Sequence, residues 1–478
     1  MSRHTTFRYC LDPTVEQLAV LARHAGAARF AFNQCLHMVK TGLSHRATDP
    51  RYPVPWTRFD LINAFNTWKK TDAAGRIFTV DPHGVTEVQV TGLAWRNHVC
   101  QQVFEEAAVD CGRALAAWSD SRTGKRRGAR VGFPKFKKKH RSAQSFRLRN
   151  KHTRTGRTAI RIGDHDIHRS VTLPGLGRIR VRDDTRRLRR MLASGRAKIL
   201  YATVSLRAGR WWITIAAEAA DIHAAHRHRP RATGDRGGWV GIDRGLSAFL
   251  VAATADGREL ARVDTPPKPL AAGLHQQRRL AKTLSRKKKG SRNRQQAAAR
   301  LARHHHRVAD VRRHFLHQVT NTLVKTHDRL VVEDLHVAGM LRNRRLSRAI
   351  SDAGWADFAR LLRYKQQWRG GTVVTADRWY PSSKRCSACG TVNTGLTLSH
   401  RVFTCGCGYR ADRDLNAAAN LAAWAATHYK AVSRSPDPSA GGRVTNARRR
   451  EGADRHPVGV GETVPVDAGT EVHTPIGV

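Results

Sequence analysis

The chain has 478 residues, with 86 lysines and arginines against 37 aspartates and glutamates, and a formal net charge of +49. Such an excess of positive charges attracts polyanions, so nucleic acid is the predicted partner. A membrane-surface protein concentrates its charge on one amphipathic segment, whereas the basic residues here are spread over the whole chain. The chain opens without the apolar segment of a signal peptide and has no stretch long enough to cross a bilayer, so a cytoplasmic protein of about two to four domains is expected.

The N-terminal part of the sequence predicts a strand followed by helices. Residues 5–11 alternate as in a short strand, and Thr14 is placed to cap a helix over residues 15–39. Apolar residues recur in that helix at three- and four-residue steps, which is typical of an amphipathic helix. Further helical patterning is expected from Val85 to Trp118.

A polar and basic segment, residues 121–149, follows these helices. Phe133, Phe136 and Phe146 are interleaved with its basic residues, an arrangement suited to a phosphate backbone with occasional base stacking. A flexible surface loop is the alternative interpretation. The candidate nucleic-acid contacts in this segment are Lys125, Arg126, Arg127, Lys135, Lys137, Lys138 and Lys139.

Strand patterns replace helical ones from Ile160 to Glu218. A turn at Gly209 and Arg210 between two alternating segments indicates antiparallel pairing in a small β domain. Residues 219–237 are rich in alanine, histidine, arginine and glycine, and we interpret them as a linker.

A second domain begins at Trp239. Its first segment, residues 239–260, is interpreted as two strands that meet in a turn at Asp256 and Gly257. A long basic region, residues 270–326, follows, and its apolar spacing suits two helices packed as a hairpin. Its charge is either an ordinary solvated face or a surface that lies along a nucleic acid, and the excess charge of the whole chain favours the second. The candidate contacts here are Arg286, Lys287, Lys288 and Lys289.

The remaining sequence predicts alternating strands and helices, followed by a tail of biased amino-acid composition. Residues 329–335 and 372–376 have strand character, residues 347–368 and 414–429 have helical character, and a cysteine-rich segment lies between them. Residues 431–478 show little periodicity and are rich in proline, serine, glycine, arginine and aspartate, so a disordered tail is predicted.

Acidic residues that follow apolar runs are the first candidates for chemistry in so basic a chain. Asp243 follows Val-Gly-Ile, Glu333 follows Leu-Val-Val, and Asp414 opens an alanine-rich helix two residues after Asp412. Short apolar runs that end in an acid fit central strands, whose carboxyl ends face a ligand crevice. Converging carboxylates repel one another, so Mg²⁺ or Mn²⁺ is expected among them. Two such ions about 3.5–4 Å apart can hydrolyse a phosphodiester.

Each acid also has an ordinary structural explanation. Asp243 can pair with Arg244, Glu333 can be a strand-end acid, and Asp412 or Asp414 can cap the helix. One shared site explains all of them together, so we favour it.

The cysteine-rich segment predicts a metal site. Cys386 and Cys389 are separated by two residues, and Cys405 and Cys407 follow after a hairpin-like spacer. Four thiolates on two turns suit a tetrahedral, structural Zn²⁺, because no ligand position is left open for water. The second pair is separated by one residue instead of the usual two, so a degenerate module without zinc is the alternative. The other four cysteines are interpreted as core thiols of a reducing compartment.

These segments together resemble the TnpB (OrfB-type) proteins of bacterial insertion sequences, relatives of the type V CRISPR effectors. The helix with ARFAFN is similar to that family's opening, and SSKRCSACG with the later cysteines resembles its zinc ribbon. GIDRG, VVEDL and ADRDLNAAANL resemble the three pieces of its RuvC-like nuclease. The resemblance extends from Phe7 to about Tyr429.

The resemblance implies a multi-domain α/β fold: an RNase H-like (RuvC) nuclease domain with a zinc-ribbon insertion, preceded by a β-barrel-like wedge domain with a helical recognition insertion. Its implied boundaries are 1–12 and 123–225 for the wedge-type β domain, 13–122 for the helical recognition insertion, 226–238 for a linker, 239–380 and 410–430 for the RuvC-like domain, 381–409 for the zinc ribbon and 431–478 for the disordered tail.

The same resemblance implies an RNA-guided, Mg²⁺-dependent DNA endonuclease with Asp243, Glu333 and Asp414 as catalytic acids and metal ligands. Its implied partners are a guide RNA from the transposon end and double-stranded DNA, and a monomer is expected. Two alternatives remain at this stage: a non-cleaving RNA-guided DNA-binding regulator, which requires loss of an acid, and a transposase that performs strand transfer itself.

Overall fold

The computed structural model of the protein describes residues 2–429 except positions 81, 127, 140, 153–155, 165, 233 and 398. The candidate contact Arg127 and the predicted tail, residues 431–478, lie outside the described residues. The chain divides into two compact units, the first extending to Ala220 and the second beginning at Asp221. The multi-domain α/β class expected from the sequence is confirmed.

The first unit combines helices with an antiparallel sheet. Its helices and strands are β1 (Ser2–Asp12), α1 (Val15–Arg46), α2 (Arg58–Trp68), β2 (Arg76–Val80), β3 (Thr86–Thr91), α3 (Gln101–Arg122), β4 (Ser145–Arg149), β5 (Arg161–Asp164), β6 (Ile167–Leu173), β7 (Gly177–Val181), α4 (Arg186–Ala193), β8 (Ala197–Arg207) and β9 (Arg210–Ala220).

The predicted cap of α1 is confirmed. The Thr14 hydroxyl accepts a hydrogen bond from the Gln17 backbone N–H at 3.3 Å, and the Gln17 side chain accepts one from the Thr14 N–H at 3.1 Å. This reciprocal pair satisfies two of the donors that a helix N-terminus leaves free. The apolar face of α1 then buries Leu21, Phe32 and Leu36 in the core of the unit.

The sheet of the first unit has the strand order β4-β8-β9-β1-β7-β6-β5. Strand β1 pairs antiparallel with β9 over most of its length and with β7 at its end, where Leu11 lies opposite Val181. The predicted hairpin of β8 and β9 is confirmed. Ala208 and Gly209 both have positive φ values, 50° and 74°, which is the turn geometry that matches the twist of a two-residue hairpin.

The helix expected from Val85 was placed wrongly, since α3 begins only at Gln101. Residues 86–91 instead form β3, which pairs with β2 in an exposed hairpin. This run is rich in threonine and valine, which favour strands, and it ends at Gly92 with φ of 92°. A Cβ atom at Gly92 would lie 2.5 Å from the Lys69 carbonyl oxygen, so only glycine fits this turn.

The second unit is built around a mixed sheet. Its helices and strands are β10 (Trp239–Asp243), β11 (Leu250–Ala253), β12 (Glu259–Val263), α5 (Pro269–Ala272), α6 (Leu274–Ser285), α7 (Arg292–Thr326), β13 (Arg329–Val332), α8 (Val337–Met340), α9 (Ser347–Ala353), α10 (Trp355–Arg369), β14 (Thr372–Thr375), β15 (Val402–Thr404), β16 (Arg410–Asp412) and α11 (Arg413–His428).

The central strands of this sheet are parallel, and the order is β12-β11-β10-β13-β14. Strands β10, β13 and β14 are parallel neighbours, while β11 and β12 are antiparallel. The prediction of two strands in residues 239–260 is wrong, because the chain reverses twice. It turns first after Asp243, where a Cβ at Gly245 would lie 2.8 Å from the Ala248 carbonyl oxygen, and again at Gly257. The second turn is the predicted one.

Helices cover both faces of the sheet. Leu330 and Val332 of β13 pack with Leu323 and Phe358, which come from α7 and α10. Val331 points to the other face and packs with residues of α11. The predicted hairpin of α6 and α7 is confirmed by their packing against each other. Within the described residues, no helix has the length and apolar character needed to span a membrane.

Helix α11 lies directly against β10 at Gly241. A Cβ atom at this position would come 1.9 Å from the Ala418 carbonyl oxygen and 2.7 Å from the Ala422 backbone nitrogen. These are main-chain atoms of a helix and cannot move aside as a side chain can. Gly241 therefore sets the distance between α11 and the sheet.

We expect Gly241→Ala to lower the free energy of unfolding by about 3 kcal/mol, the upper end for overpacking a core. Thermal unfolding followed by circular dichroism measures this. Gly132→Ala is the matched control, since a Cβ there meets no atom within 4 Å and the backbone φ is not positive. Equal melting temperatures for Gly241→Ala and the wild type would contradict the close packing of α11.

Candidate metal centres

Two of the three candidate acids leave the same edge of the sheet. Asp243 is the last residue of β10, and Glu333 directly follows β13. The strands are parallel neighbours with Ile242 opposite Val332, so the next residue of each strand emerges at the same end. This is the crevice at the carboxyl ends of parallel strands, where ligands of open α/β sheets bind.

The third acid reaches this edge from α11. Asp414 is the second residue of that helix, which crosses β10 at Gly241. A Cβ atom built on Gly245 would lie 3.9 Å from Asp414 Oδ2, so the Asp414 carboxylate lies over the turn that follows Asp243. The structure therefore brings the three sequence-predicted acids together.

The charges of these acids oppose one another. Burial raises the pKa of Asp243 well above its usual range, and the neighbouring charges of Glu333 and Asp414 raise it further, while Arg244 lowers it. Burial also raises the pKa of Glu333, against the hydrogen bond from Ser382 and the charge of Arg244. Burial and then the charge of Asp412 raise the pKa of Asp414. Three carboxylates in this arrangement favour a bound cation.

Arg244 does not take the role of that cation. Its guanidinium donates to main-chain oxygens, Nη2 to the Glu333 carbonyl at 2.5 Å and Nη1 to the Trp355 carbonyl at 3.3 Å. Arg244 is only 6% exposed, so it fixes the end of β13 from inside the core. The side chains of Asp243 and Arg244 therefore do not form the ion pair that was the alternative explanation of Asp243.

The geometry distinguishes Asp412 from Asp414. Asp412 Oδ1 accepts a hydrogen bond from the Leu415 N–H at 2.9 Å and so caps α11, and the same oxygen pairs with Arg262 Nη2 at 3.0 Å. The Asp412 carboxylate is therefore already used at the surface, whereas Asp414 is half-buried and faces the crevice. This supports Asp414 as the third acid.

The carboxylates are spaced more widely than the cysteine thiols. Of the described residues, only the four cysteines of the predicted zinc site bring three or more ligand atoms within 4.8 Å of one another. A pair of ions about 3.5–4 Å apart does not need all of its ligand atoms this close to one another, so the two-ion hypothesis is compatible with the wider spacing.

Sequence reasoning missed the residues that hold Glu333 in place. Ser382 is 3% exposed, and its hydroxyl donates to Glu333 Oε1 at 3.0 Å. Asn420 Nδ2 in turn donates to the Ser382 carbonyl at 2.8 Å and to the Arg385 carbonyl at 2.6 Å. Asn416, one turn earlier on α11, donates to the same Arg385 carbonyl at 2.7 Å.

A sequence signal for these asparagines was present. Asn416 and Asn420 are four residues apart in an alanine-rich helix, so they share one face, and buried amides require hydrogen-bond partners. That pattern indicates that α11 binds another backbone segment, although it does not identify which one.

The four cysteines converge as the sequence predicts. The Sγ atoms of Cys386 and Cys407 are 3.8 Å apart, and those of Cys389 and Cys405 are 3.5 Å apart. Sulfurs that bind one Zn²⁺ tetrahedrally at about 2.3 Å lie about 3.8 Å from each other, so the donor set fits the ion. Hydrogen bonding to Thr391 and to the neighbouring thiols lowers the pKa of Cys389 to about 6, which makes this sulfur available as a thiolate.

Backbone hydrogen bonds shape each cysteine pair. The Cys386 N–H donates to the Thr391 carbonyl at 2.8 Å, and the Cys405 N–H donates to the Tyr409 carbonyl at 3.0 Å. Gly408 has φ of 87°, which allows the shorter second turn to bring Cys407 back to the cluster. The apolar core here consists of little more than Cys386, Leu396 and Phe403, so a bound metal would stabilise the segment.

The basic segment of the first unit is partly fastened to α1. The Lys137 N–H donates to Asn33 Oδ1 at 2.7 Å, and Asn33 Nδ2 donates to the Lys137 carbonyl at 3.0 Å. Lys137 Nζ lies 3.8 Å from the centre of the Phe32 ring, and burial lowers its pKa. Lys137 therefore packs against the helix, and the candidates with exposed side chains in this segment are Lys125, Lys135, Lys138 and Lys139.

The second unit carries its basic candidates in the connection between α6 and α7. Arg286, Lys287, Lys288 and Lys289 are all exposed there. A further group was missed: a cavity of about 460 Å³ between the two helices is lined by Arg300, Arg303 and Arg307, together with Gln276, Leu280 and His304. The arginines follow steps of three and four residues, which place them on one face of α7.

The fold and the two clusters define the class: an α/β protein with an acidic crevice at parallel strand ends and an adjoining four-cysteine module. Residues 223–344 match the family described as "Probable transposase" of the OrfB, IS605 type, and residues 355–421 match the Cas12f1-like TNB domain. The chain belongs to this OrfB family, in which TnpB-like proteins are also found.

The chain is similar to relatives over nearly its whole length. A protein of Mycobacterium tuberculosis (strain H37Rv) named "Putative RNA-guided DNA endonuclease" is 36% identical over 466 residues, which cover 95% of each chain. A relative of Escherichia coli K12 with the same description is 30% identical over 439 residues, 88% of this chain and 92% of the relative. The cryo-EM structure of a Cas12f1–sgRNA–target DNA complex aligns with 13% identity and a TM-score of 0.46, over 88% of this chain and 99% of that chain.

The first 46 residues match a family described as a helix-turn-helix domain. In this structure they form the strand β1 and the single long helix α1. Strand β1 is part of the seven-stranded sheet, so this segment is integrated in the first unit.

We expect the purified chain to contain one zinc ion, measured by plasma mass spectrometry. Cys386→Ser should remove it and lower the melting temperature, because the small core around this residue then has no metal to stabilise it. Cys111→Ser, at a buried cysteine of the first unit, controls for loss of a thiol and should keep the zinc. If the wild type contains no zinc and Cys386→Ser melts at the same temperature as the wild type, the module is degenerate.

We also expect Asp243→Asn to stabilise the metal-free protein at neutral pH. The pKa of Asp243 is raised in the folded state above its usual value of 3.8, so the stability that Asp243 contributes is fully present below that value and is lost as the pH rises through the folded pKa. In EDTA the variant should melt about 3 °C or more above the wild type near pH 8, and the difference should shrink towards pH 4. Added Mg²⁺ should raise only the wild-type melting temperature. A variant that is less stable at every pH would contradict this electrostatic assignment.

Proposed function

We propose that the protein is an RNA-guided DNA endonuclease that hydrolyses phosphodiester bonds at the crevice of Asp243, Glu333 and Asp414. The observation that carries the proposal is the convergence of these three carboxylates at the ends of two parallel strands. Two nearby arginines make their hydrogen bonds elsewhere: Arg244 donates to carbonyls and Arg262 pairs with Asp412.

The donor set suits Mg²⁺ or Mn²⁺, since both prefer oxygen ligands and leave room for waters and phosphate oxygens. Asp243, Glu333 and Asp414 would hold the ions. A bound divalent pair supplies an activated water and stabilises the departing oxygen of the phosphodiester.

The chain's own residues orient this site. Ser382 binds Glu333 Oε1 and so leaves the second carboxylate oxygen for ligation. Asn420 holds the Ser382 backbone, and Arg244 holds the Glu333 backbone, so the carboxylate is fixed from both sides. Such preorganisation avoids the cost of ordering the ligands when substrate arrives.

The names of the relatives support guidance by RNA. The M. tuberculosis and E. coli relatives carry the description of RNA-guided DNA endonucleases. A guide would supply sequence choice by base pairing, while exposed basic residues of both units would hold the nucleic acids by their backbones. We assign this role to the basic candidates, with Lys137 contributing packing instead.

We propose the domain layout on the same grounds. The second unit would be the RNase H-like (RuvC) nuclease domain with the cysteine module as its zinc ribbon. The β sheet of the first unit would be the wedge domain, and its helices α1 to α3 the recognition insertion.

The decisive experiment begins with the RNA that co-purifies with the protein. That RNA is sequenced, and a plasmid library is built with the matching target and randomised flanks. We expect Mg²⁺-dependent double-strand cleavage by the wild type. Asp243→Asn and Glu333→Gln should each reduce the cleavage rate by about 10²- to 10³-fold or more, while RNA and DNA binding change little.

Asp412→Asn is the matched control, because Asp412 caps α11 and pairs with Arg262 at the surface. It should cut at a rate close to the wild type, whereas Asp414→Asn should not cut. Undiminished cleavage by Asp243→Asn would refute the site, and RNA-independent joining of transposon ends by the wild type would favour a strand-transfer transposase.

A further inference from the structure

Trp379 is the most exposed of the large hydrophobic side chains that the structure describes, at 85%. An indole is a large apolar surface that is normally mostly buried in a core or an interface. An exposure this high, close to a candidate active site, suggests a ligand that covers the ring.

The backbone around Trp379 is ordered by local hydrogen bonds. The Trp379 N–H donates to Asp377 Oδ1 at 2.8 Å, and the Tyr380 N–H donates to the Asp377 carbonyl at 3.1 Å. Tyr380 turns inward, where its hydroxyl donates to the Asn420 carbonyl at 3.2 Å and its ring contacts Trp424. The indole is therefore presented to solvent by a defined turn.

This turn is tied on both sides to the end of β13. Before Trp379, Arg378 forms an ion pair with Asp334, which follows Glu333. After it, Ser382 donates to Glu333 Oε1. Trp379 is three residues from Ser382, so their Cα atoms are at most about 11 Å apart. That distance is about three stacked bases of one strand.

The surroundings match the chemistry of a nucleotide. Arg385 is exposed on the same segment, Arg378 is exposed but paired with Asp334, and the acid nearest in sequence, Asp377, uses its carboxylate within the turn. Guanidinium groups bind phosphates, and an aromatic face stacks on any base, which is how single strands are held without sequence preference. A base inside a duplex has both faces covered by its neighbours, so the ring requires an unpaired base.

We propose that Trp379 is a stacking platform for an unpaired nucleobase of the DNA strand that enters the carboxylate crevice. The inference rests on the proposed nuclease function and names a residue that positions its substrate. Stacking would hold the strand a few nucleotides from Glu333 without sequence specificity.

The test compares two probes in EDTA, so that no strand is cut. One is a short single strand of oligothymidylate, and the other is a strand of the same length made of abasic nucleotides. The full chain should bind the base-bearing strand about 5- to 150-fold more tightly, the worth of one stacked base. Trp379→Ala should lose this preference, and Trp379→Phe should keep most of it.

Phe59→Ala is the matched control, since Phe59 is a 69% exposed aromatic of the first unit. Its preference should equal that of the wild type. An equal loss in Phe59→Ala, or a preference that survives in Trp379→Ala, would overturn the proposal.

A parallel cleavage assay separates the inference from the function on which it rests. With guide RNA and Mg²⁺, Trp379→Ala should raise KM for target DNA more than it lowers kcat. If Trp379→Ala loses the base preference but the wild type does not cleave, the stacking platform is supported and the nuclease function is rejected. If the wild type cleaves and Trp379→Ala keeps the base preference, the nuclease function is supported and the stacking platform is rejected.

Discussion

The candidate site of the second unit depends on one constraint: the fold holds three acids close together although their charges repel one another. Asp243, Glu333 and Asp414 meet because two parallel strands end at the same edge and a helix begins above them. Burial and neighbouring charge raise the pKa of all three. A fold that keeps three such acids together loses stability when no cation is bound, and such a cost is typical of functional sites.

Helix α11 joins the two candidate metal centres. Its N-terminal turn supplies Asp414, its contact with Gly241 sets its distance from the sheet, and Asn416 and Asn420 bind the backbone next to Cys386. The cysteine module therefore stabilises more than its own short hairpins. The asparagines of α11 hold residues 382–387, which include both the serine that orients Glu333 and the first cysteine of the module.

Local patterns predicted the features that local interactions determine. The cap at Thr14, the hairpin at Gly209 and the strands that lead to Asp243 and Glu333 depend on residues within one element, and they are found as expected. The extra reversal after Asp243 was missed because it depends on close backbone packing. Likewise, Ser382 contacts Glu333 across 49 residues, a pairing that no periodicity in the sequence reveals.

The positive charge of the chain and its acidic crevice act over different distances. Exposed lysines and arginines attract a polyanion over distances up to the Debye length of about 8 Å, whereas the buried carboxylates act on a phosphate that has entered the crevice. Under the proposed function, binding of nucleic acid would not require a complete metal site, but approach of a phosphodiester to Asp243 would. Since the nearby Arg244 donates to carbonyls, a bound cation would supply the charge that reverses the repulsion between phosphate and carboxylates under the proposed function. The proposed function therefore makes binding and cutting separable, and only cutting would depend on the metal.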